Sequence, residues 1–329
     1  MSGTARIGIV GAGSIVRGAH LPSYRARDLN VVGVFDVDAA AASAVSGEFG
    51  LTNYGSVEDL LGDVDVVDIA VPPRAQYPIA LQAIAAKVHV LAQKPLATSV
   101  DTAEAIVRAA ESHGTAVVVN QQLRYSSAIR TCSALVHGGE LGAVSSVSIT
   151  ALGRGGFRQW PWIERLDRQE AIFHSIHYLD ACRYLFGEAS TVYAVQLRHG
   201  GRGETHTRAL VSMGAVSVLL DSDTDRRTNS SGTVMTIEGS RGGVRFTPGS
   251  GTDGGHDRLE VSLDGEPWTA VPLTGDWFID SFAEPMLDLL EQVRDPRHRA
   301  SSSATDNLAT LRLVDAVYRS AELGVLVEV

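Results

Sequence analysis

Residues 6–16 read RIGIVGAGSIV, and this stretch decides the fold of the chain. The apolar run Arg6–Val10 passes directly into a glycine-rich turn, which is followed by a segment of helical composition. In a strand–turn–helix unit of this kind, Gly11 permits the tight turn and Gly13 lets the backbone approach a pyrophosphate at the positive helix end. Val16 replaces the third glycine of the fingerprint, at a position that serves helix–strand packing. The stretch therefore predicts a dinucleotide-binding loop, which also includes Ser14 and Ile15.

An acidic residue follows this loop at the expected spacing. Asp36 ends the second apolar run about 20 residues after Val16, where a carboxylate accepts hydrogen bonds from ribose hydroxyls. Such a carboxylate repels a 2′-phosphate, Asp38 lies two residues further on, and no arginine follows closely. We therefore predict NAD as the cofactor in preference to NADP.

Strand-like runs alternate with helical segments over the first 120 or so residues. Parallel strands need crossover connections, so this alternation predicts a parallel sheet covered by helices on both faces. The runs are Arg6–Val10, Val31–Phe35, Val64–Val71, Val88–Ala92 and Thr115–Val119. We predict an N-terminal Rossmann domain over residues 1–121.

The pattern changes after about residue 143. Seven strand-like runs lie between residues 144 and 263, and several are too close together to hold a crossover helix. Helical segments are expected at 125–138, 170–186, 277–294 and 303–321. The chain is thus expected to be an α/β protein whose second domain, residues 122–329, is α+β with a large, mostly antiparallel open sheet.

Composition narrows the possible partners. The chain has 28 Lys and Arg against 38 Asp and Glu, a formal net charge of −10, which argues against binding to nucleic acid or an anionic membrane. No apolar run approaches the roughly 18–20 residues of a transmembrane helix. Its two cysteines, Cys132 and Cys182, fit a reduced cytoplasmic protein without a disulfide framework.

Several short stretches, in their order and spacing, resemble the Gfo/Idh/MocA family of glucose–fructose oxidoreductases and inositol dehydrogenases along nearly the whole chain. They are Ile7–Val16, Asp68–Pro73, His89–Leu96, Asn120–Tyr125, Ser175–Asp180 and Leu308–Ala321. The resemblance implies an NAD-dependent dehydrogenase of a sugar, sugar derivative or cyclitol hydroxyl.

The family's Glu-Lys-Pro signature appears here as Gln93-Lys94-Pro95. The resemblance implies that Lys94 lies beside the nicotinamide and hydrogen-bonds the reacting hydroxyl, where burial and the nicotinamide cation would lower its pKa. Gln93 keeps the length of the usual glutamate but loses its charge. The resemblance implies further cofactor contacts from Pro72, Pro73, Gln76, Gln93 and Gln121.

The segment Gln169–Phe186 is expected to be a helix that carries Glu170, His174 and His177 on one stripe. The resemblance makes His177 a general acid/base, but the position of the family's acid is occupied by Phe173. A metal site and a purely structural histidine pair are alternatives. For the neighbouring Asp180 we favour a structural role, orienting His177 or capping a neighbour.

Substrate contacts are expected from the loop 154–168, because tryptophan and arginine suit apolar ring faces and hydroxyls. The resemblance implies further contacts from the start of the second domain and from His174, which lies next to Phe173. The predicted residues are Arg124, Tyr125, Trp160, Trp162, Arg165 and His174.

The predicted reaction needs Lys94 and His177 to reach the same nicotinamide ring. The substitutions at Gln93 and Phe173 leave open a catalytically silent NAD-binding sensor, and an NAD-dependent glycoside-cleaving enzyme is a further alternative. Strand Thr191–Arg198 is apolar on both faces, so a homodimer or homotetramer is expected.

Overall fold

The computed structural model describes residues 5–228, 232–249 and 255–329. The chain forms two compact units. The first comprises Met1–Gln122 and Phe278–Leu308, and the second comprises Leu123–Trp277 and Ala309–Val329. In the described ranges, no helix is both long enough and apolar enough to span a membrane.

The first unit is built on a six-stranded sheet of order β3-β2-β1-β4-β5-β6, and every pair of neighbouring strands is parallel. This is the strand order of a Rossmann domain. Its strands are β1 Ile7–Val10, β2 Val31–Phe35, β3 Thr52–Asn53, β4 Val66–Ile69, β5 His89–Gln93 and β6 Val117–Asn120. The five runs that the sequence identified are all present, and β3 is an additional short edge strand.

Two of the helices that connect these strands, α2 and α5, begin and end at recognisable caps. Asp38 accepts hydrogen bonds from the first amides of α2, Ser99 does so for α5, and Gly50 and Gly114 end the same two helices in the left-handed conformation. The helices are α1 Leu21–Ala26, α2 Ala39–Phe49, α3 Val57–Leu61, α4 Pro73–Ala85 and α5 Val100–His113. A π-helical turn, Val16–His20, precedes α1.

A later segment of the chain completes the core of the first unit. Met286 and Leu289 of helix α9, Glu284–Arg294, are buried in the same apolar cluster as Ile7, Val66 and Leu91. Burial of these side chains holds the segment against the parallel sheet. The observed division of the chain therefore differs from the predicted one, which assigned all of residues 122–329 to the second domain.

The second unit contains a nine-stranded sheet of order β14-β13-β12-β11-β7-β10-β9-β8-β15. All neighbouring strands are antiparallel except β7 and β10, which confirms the predicted mostly antiparallel sheet. The strands are β7 Val144–Leu152, β8 Thr191–Leu197, β9 His206–Met213, β10 Val216–Asp223, β11 Gly232–Gly239, β12 Gly242–Thr247, β13 Arg258–Leu263, β14 Thr269–Val271 and β15 Val327–Glu328.

The remaining helices are α6 Gln122–Tyr125, α7 Ser127–His137, α8 Ile176–Phe186 and α10 Ala304–Leu323. Nearly every residue of α8 is buried, including its polar side chains His177, Asp180 and Arg183. A second π-helical turn, Ala171–Ser175, leads directly into α8. π-Helical turns often occur at functional sites. This one lies within Gln169–Phe186, the segment for which the sequence predicts the functional histidines.

One face of the nine-stranded sheet exposes large apolar side chains on neighbouring strands. Tyr193 of β8 is paired with Leu210 of β9, and Leu210 is paired in turn with Leu219 of β10. Each of the three is between 42% and 53% exposed. We call this the outer apolar face, and its members are Tyr193, Val195, Leu197, Leu210, Leu219 and Val234.

Candidate active site

The glycine-rich loop has the geometry of a phosphate cradle. Gly11 has a φ of +115°, and a Cβ atom at this residue would lie 2.4 Å from the carbonyl oxygen of Ala70. Only glycine is compatible with that approach. A Cβ atom at Gly13, by contrast, would have no protein atom within 4 Å. Gly13 and Ser14 are exposed and Ile15 is half-buried, so the loop presents its backbone where the pyrophosphate of NAD fits.

Asp36 ties the end of β2 to this loop. Its Oδ2 atom accepts a hydrogen bond from the amide of Ala12 at 2.6 Å, and its Oδ1 atom accepts one from the amide of Asp38 at 2.8 Å. These bonds fix the carboxylate beside the loop, at the position where a Rossmann domain binds the adenosine ribose.

Lys94 follows the carboxyl end of β5, which is the edge of a parallel sheet at which Rossmann domains bind ligands. Burial lowers the pKa of its amine to about 8. Its backbone amide donates a hydrogen bond to the Oε1 atom of Gln93 at 2.7 Å. An amine with this pKa exists in both protonation states near neutral pH, which suits proton exchange with a hydroxyl.

Gln76 lies beneath the Lys94 turn. Its side chain is fully buried, and its Nε2 atom lies 2.9 Å from the carbonyl oxygen of Gln93, 3.1 Å from that of Pro95 and 3.0 Å from that of Leu96. The structure thus gives Gln76 a supporting role beneath the turn, and its predicted contact with the cofactor stays a prediction.

The other residues predicted to bind the cofactor lie at the ends of neighbouring strands. Pro72 is exposed and Pro73 begins α4, just after β4. Gln121 follows β6 and is 1% exposed, and among the described residues neither of its side-chain amide atoms has a hydrogen-bond partner. A buried amide without partners costs about 1–3 kcal/mol. The predicted contact of Gln121 with the cofactor stays a prediction.

In the second unit, Glu170 organises the histidine segment. Its buried Oε1 atom accepts hydrogen bonds from the hydroxyls of Ser175 and Ser222, both at 2.6 Å. The Nδ1 atom of His174 lies 3.2 Å from the same oxygen and 3.0 Å from the Ser222 hydroxyl. The imidazole of His174 is half-buried and held by two partners, which suits a residue that orients a polar substrate.

His177 lies on the first turn of α8 and is 7% exposed, with its ring edge-on to Trp277 at 5.9 Å between centroids. Phe173 packs edge-on against Trp162, at 5.3 Å, and against Phe157, at 6.4 Å. The aromatic side chain that replaces the family's acid therefore belongs to an apolar cluster. Trp160 is half-buried and Arg165 is exposed.

Arg124 and Tyr125 have structural partners in the second unit. The guanidinium of Arg124 donates two hydrogen bonds to Asp180, and both side chains are buried. Tyr125 is 5% exposed and lies beneath the guanidinium of Arg130, 5.6 Å from it. Their predicted contacts with substrate stay predictions. Asp180 has a structural partner as expected, although that partner is Arg124 rather than His177.

The sequence did not identify two polar residues of the first unit as candidates for a functional role. His20 and Asp68 are fully buried and joined by a hydrogen bond of 2.6 Å. The sequence feature that could have revealed the pair is an aspartate within the buried strand β4, because an unpaired charge there would be costly and so requires a partner. Over residues 5–228, 232–249 and 255–329, no group of three metal-ligating side chains is close enough to hold an ion.

Two models of known families match this chain. The model described as an oxidoreductase family with an NAD-binding Rossmann fold matches residues 5–121, and that of the GFO/IDH/MocA C-terminal domain matches residues 129–245. The chain belongs to the Gfo/Idh/MocA family of oxidoreductases. This membership confirms the resemblance found in the sequence, and it makes the first unit an NAD-binding Rossmann domain.

Named relatives span nearly the whole chain. D-apiose dehydrogenase of Rhizobium rhizogenes is 26% identical and is matched over 91% of this chain and 90% of its own length. Inositol 2-dehydrogenase of Rhizobium meliloti is 23% identical, with coverage of 96% and 97%. Among solved structures, an oxidoreductase from Agrobacterium radiobacter in complex with NAD⁺, L-tartaric acid and magnesium matches with a TM-score of 0.87 at 23% identity, over 99% of this chain and 98% of that chain. This last likeness shows the shared fold.

Proposed function

We propose that this Gfo/Idh/MocA oxidoreductase transfers hydride between nicotinamide and a hydroxyl of a sugar, a sugar derivative or a cyclitol. The observation that carries the proposal is Lys94, which is held at the carboxyl end of β5 with an amine pKa of about 8. The substrate class is supported by relatives named as D-apiose dehydrogenase and inositol 2-dehydrogenase.

The proposed roles divide the chemistry between two side chains. Lys94 hydrogen-bonds the reacting hydroxyl, and His177 takes its proton during oxidation and returns it during reduction. The bound nicotinamide supplies the hydride acceptor. His174, oriented by Glu170 and Ser222, binds a neighbouring hydroxyl, and Trp160, Trp162 and Arg165 border the substrate.

We propose NAD rather than NADP as the cofactor. Asp36 offers a carboxylate next to the loop, where it accepts from ribose hydroxyls and repels a 2′-phosphate. Gly11, Gly13, Ser14 and Ile15 form the pyrophosphate cradle. Pro72, Pro73, Gln93 and Gln121 are proposed to line the remainder of the cofactor site.

The experiment is a panel of aldoses, cyclitols and glycosides mixed with NAD while absorbance of the reduced nicotinamide is followed. Turnover by the wild type, and its loss in Lys94→Met with cofactor affinity retained, is the expected result. Undiminished turnover in Lys94→Met would refute the assigned role.

Two other outcomes identify the alternatives. Calorimetric binding of NAD and of a sugar without any turnover would indicate the sensor, for which the substitutions at Gln93 and Phe173 are the motivating observations. Release of sugar from a glycoside without net reduction of NAD would indicate the glycoside-cleaving enzyme.

We further propose that the protein is cytoplasmic and that two or four copies associate through the outer apolar face. That face exposes large apolar side chains on neighbouring strands, and exposed apolar patches of this kind commonly mark protein–protein contacts.

A further inference from the structure

A polar network built on the fully buried residues His20, Tyr24 and Asp68 lies behind the Lys94 turn. The Nδ1 atom of His20 lies 2.6 Å from Oδ2 of Asp68, and the hydroxyl of Tyr24 donates to the same oxygen at 2.7 Å. The Nε2 atom of His20 lies 3.0 Å from Nε2 of Gln93. Neither His20 nor Asp68 has any exposed side-chain surface, so no role at the protein surface explains the pair.

The hydrogen bonds determine which nitrogen of His20 carries the proton. A backbone amide can only donate, so the atom of Gln93 that pairs with the amide of Lys94 is the carbonyl oxygen Oε1. The other end of the Gln93 side chain is therefore its NH₂ group, which donates to Nε2 of His20. That nitrogen must be an unprotonated acceptor. The proton lies on Nδ1, and it is donated to Asp68.

The neighbouring groups agree with a neutral imidazole. The side-chain nitrogen of Asn120 lies 3.4 Å from the same Nε2 atom of His20. A second amide group therefore faces the lone pair of that nitrogen. The ring of Phe282 packs edge-on against the imidazole at 5.2 Å and keeps this side of it apolar.

We propose that His20 and Asp68 are positioning residues that act through Gln93 to hold the backbone of Lys94 in place for catalysis. The inference rests on the proposed role of Lys94. Asp68 fixes the tautomer of His20, His20 fixes the orientation of the Gln93 amide, and Gln93 accepts the hydrogen bond from Lys94. An amide suits this chain of contacts because a carboxylate at residue 93 has no hydrogen to donate and would need to accept a hydrogen bond from a protonated Nε2. As long as Nδ1 also donates to Asp68, His20 would then be doubly protonated.

The kinetic test compares Gln93→Leu with the control His89→Gln. Gln93→Leu removes both hydrogen bonds of the side chain, whereas His89 lies at the opposite end of the same strand and bonds the amide of Ala116. Misplacing a reacting group by about 1 Å costs on the order of 100-fold in rate. We expect Gln93→Leu to lower kcat by about 10- to 100-fold, and His89→Gln to stay within about twofold of wild type. An unchanged kcat in Gln93→Leu would overturn the proposal.

A second test does not require turnover, because Lys87 and Lys94 are the only lysines in the sequence. In a Lys87→Arg background, reductive methylation with ¹³C-formaldehyde gives one lysine side-chain signal, that of Lys94. We expect Gln93→Leu to shift or broaden that signal and His89→Gln to leave it unchanged. An identical Lys94 signal in all three proteins would contradict the positioning role.

The tautomer is measured separately by long-range ¹H–¹⁵N spectra of protein labelled at histidine, with His20 assigned by His20→Gln. We expect a protonated Nδ1 and an unprotonated Nε2 in the wild type, and protons on both nitrogens in Gln93→Glu. A proton on Nε2 in the wild type would overturn the inference. Should no sugar be turned over while both spectra agree with expectation, the proposed function fails and the positioning network stands.

Discussion

Asp180 accepts two hydrogen bonds from the guanidinium of Arg124, at 2.7 Å from Nε and 2.5 Å from Nη2. Thr310 donates a third to the same carboxylate at 2.7 Å. Both charged side chains are at most 3% exposed. Such a fork-shaped pair satisfies each partner's hydrogen bonds, which is the condition under which a buried ion pair is tolerated.

Removing one member of this pair is expected to destabilise the second unit. Arg124→Ala leaves an uncompensated buried carboxylate, and losses of about 3–5 kcal/mol in the free energy of unfolding are typical of such changes. The double variant Arg124→Met/Asp180→Leu is expected to recover most of that loss because no charge is left buried. Urea unfolding measures both. Wild-type stability of Arg124→Ala together with a raised KM for the sugar would instead assign Arg124 to the substrate.

Substitutions at the two loop glycines are expected to affect different properties, the stability of the fold at Gly11 and the affinity for NAD at Gly13. Gly11→Ala places a methyl group 2.4 Å from the carbonyl oxygen of Ala70 at a positive φ, so we expect a loss of stability of about 1–3 kcal/mol or more. Gly13→Ala meets no protein atom within 4 Å, so stability is expected to stay within about 0.5 kcal/mol while NAD affinity falls at least tenfold. Thermal unfolding and calorimetric titration with NAD check the pair. Full NAD affinity in Gly13→Ala would place the pyrophosphate elsewhere.

The sequence was sufficient for the parallel sheet because its signals are local. A glycine-rich turn between an apolar run and a helix, followed by alternating runs, leaves few arrangements other than a Rossmann domain. The short edge strands β3, β14 and β15 were missed because two or three residues carry no periodicity. The sequence analysis assigned helix α9 to the second domain, whereas the helix packs in the core of the first unit. An amphipathic pattern shows which face of a helix is buried but not which sheet buries it.

The candidate site was predicted less completely because side-chain partners are a property of the folded chain. Helical spacing correctly linked Glu170 to His174. The π-helical turn adds a residue to the local register, however, and so brings Ser175 to Glu170 as well. The contacts of Gln76 could not be predicted from the sequence either. Nothing in the residues that flank Gln76 indicates that its amide reaches three carbonyl oxygens beneath the Lys94 turn.

Cofactor preference is expected to depend on the charge of Asp36. In Asp36→Asn the amide oxygen can still accept from Ala12, but the charge that opposes a 2′-phosphate is gone. We expect the ratio of NAD to NADP affinity to fall at least tenfold, about 1.4 kcal/mol. Asp38→Asn is the matched control, since it removes the same charge two residues away and asparagine caps α2 equally well. Equal effects of the two substitutions would show that Asp36 makes no specific contact with the ribose.

The outer apolar face is expected to hold copies of the chain together. Leu219 is 53% exposed and lies beside Leu210, so Leu219→Glu places a charge in the middle of the patch. We expect this variant to dissociate to monomers at concentrations where the wild type is a dimer or tetramer, as measured by light scattering. Leu323→Glu is the control, because Leu323 is similarly exposed at the end of α10. A wild type that is itself monomeric would contradict the proposed interface between copies of the chain.

Lys94 is expected to lower stability at neutral pH. The folded-state pKa of its amine is about 8, below the value of about 10.4 for an unfolded lysine. Between these values the unfolded chain binds more protons, so the contribution of Lys94 to the free energy of unfolding rises with pH. Below about pH 8 both states are protonated, and the full cost of the buried ammonium is present.

Lys94→Met removes that cost and leaves the unfolded chain without the titrating group. The variant is therefore expected to be more stable than the wild type at about pH 7, by on the order of 3 kcal/mol, with the difference shrinking toward about pH 10. Urea unfolding at the two pH values measures it. Lys87→Met is the control, because Lys87 is the only other lysine in the sequence and its side chain is exposed. A constant difference between wild type and Lys94→Met would show that burial does not lower the pKa of Lys94.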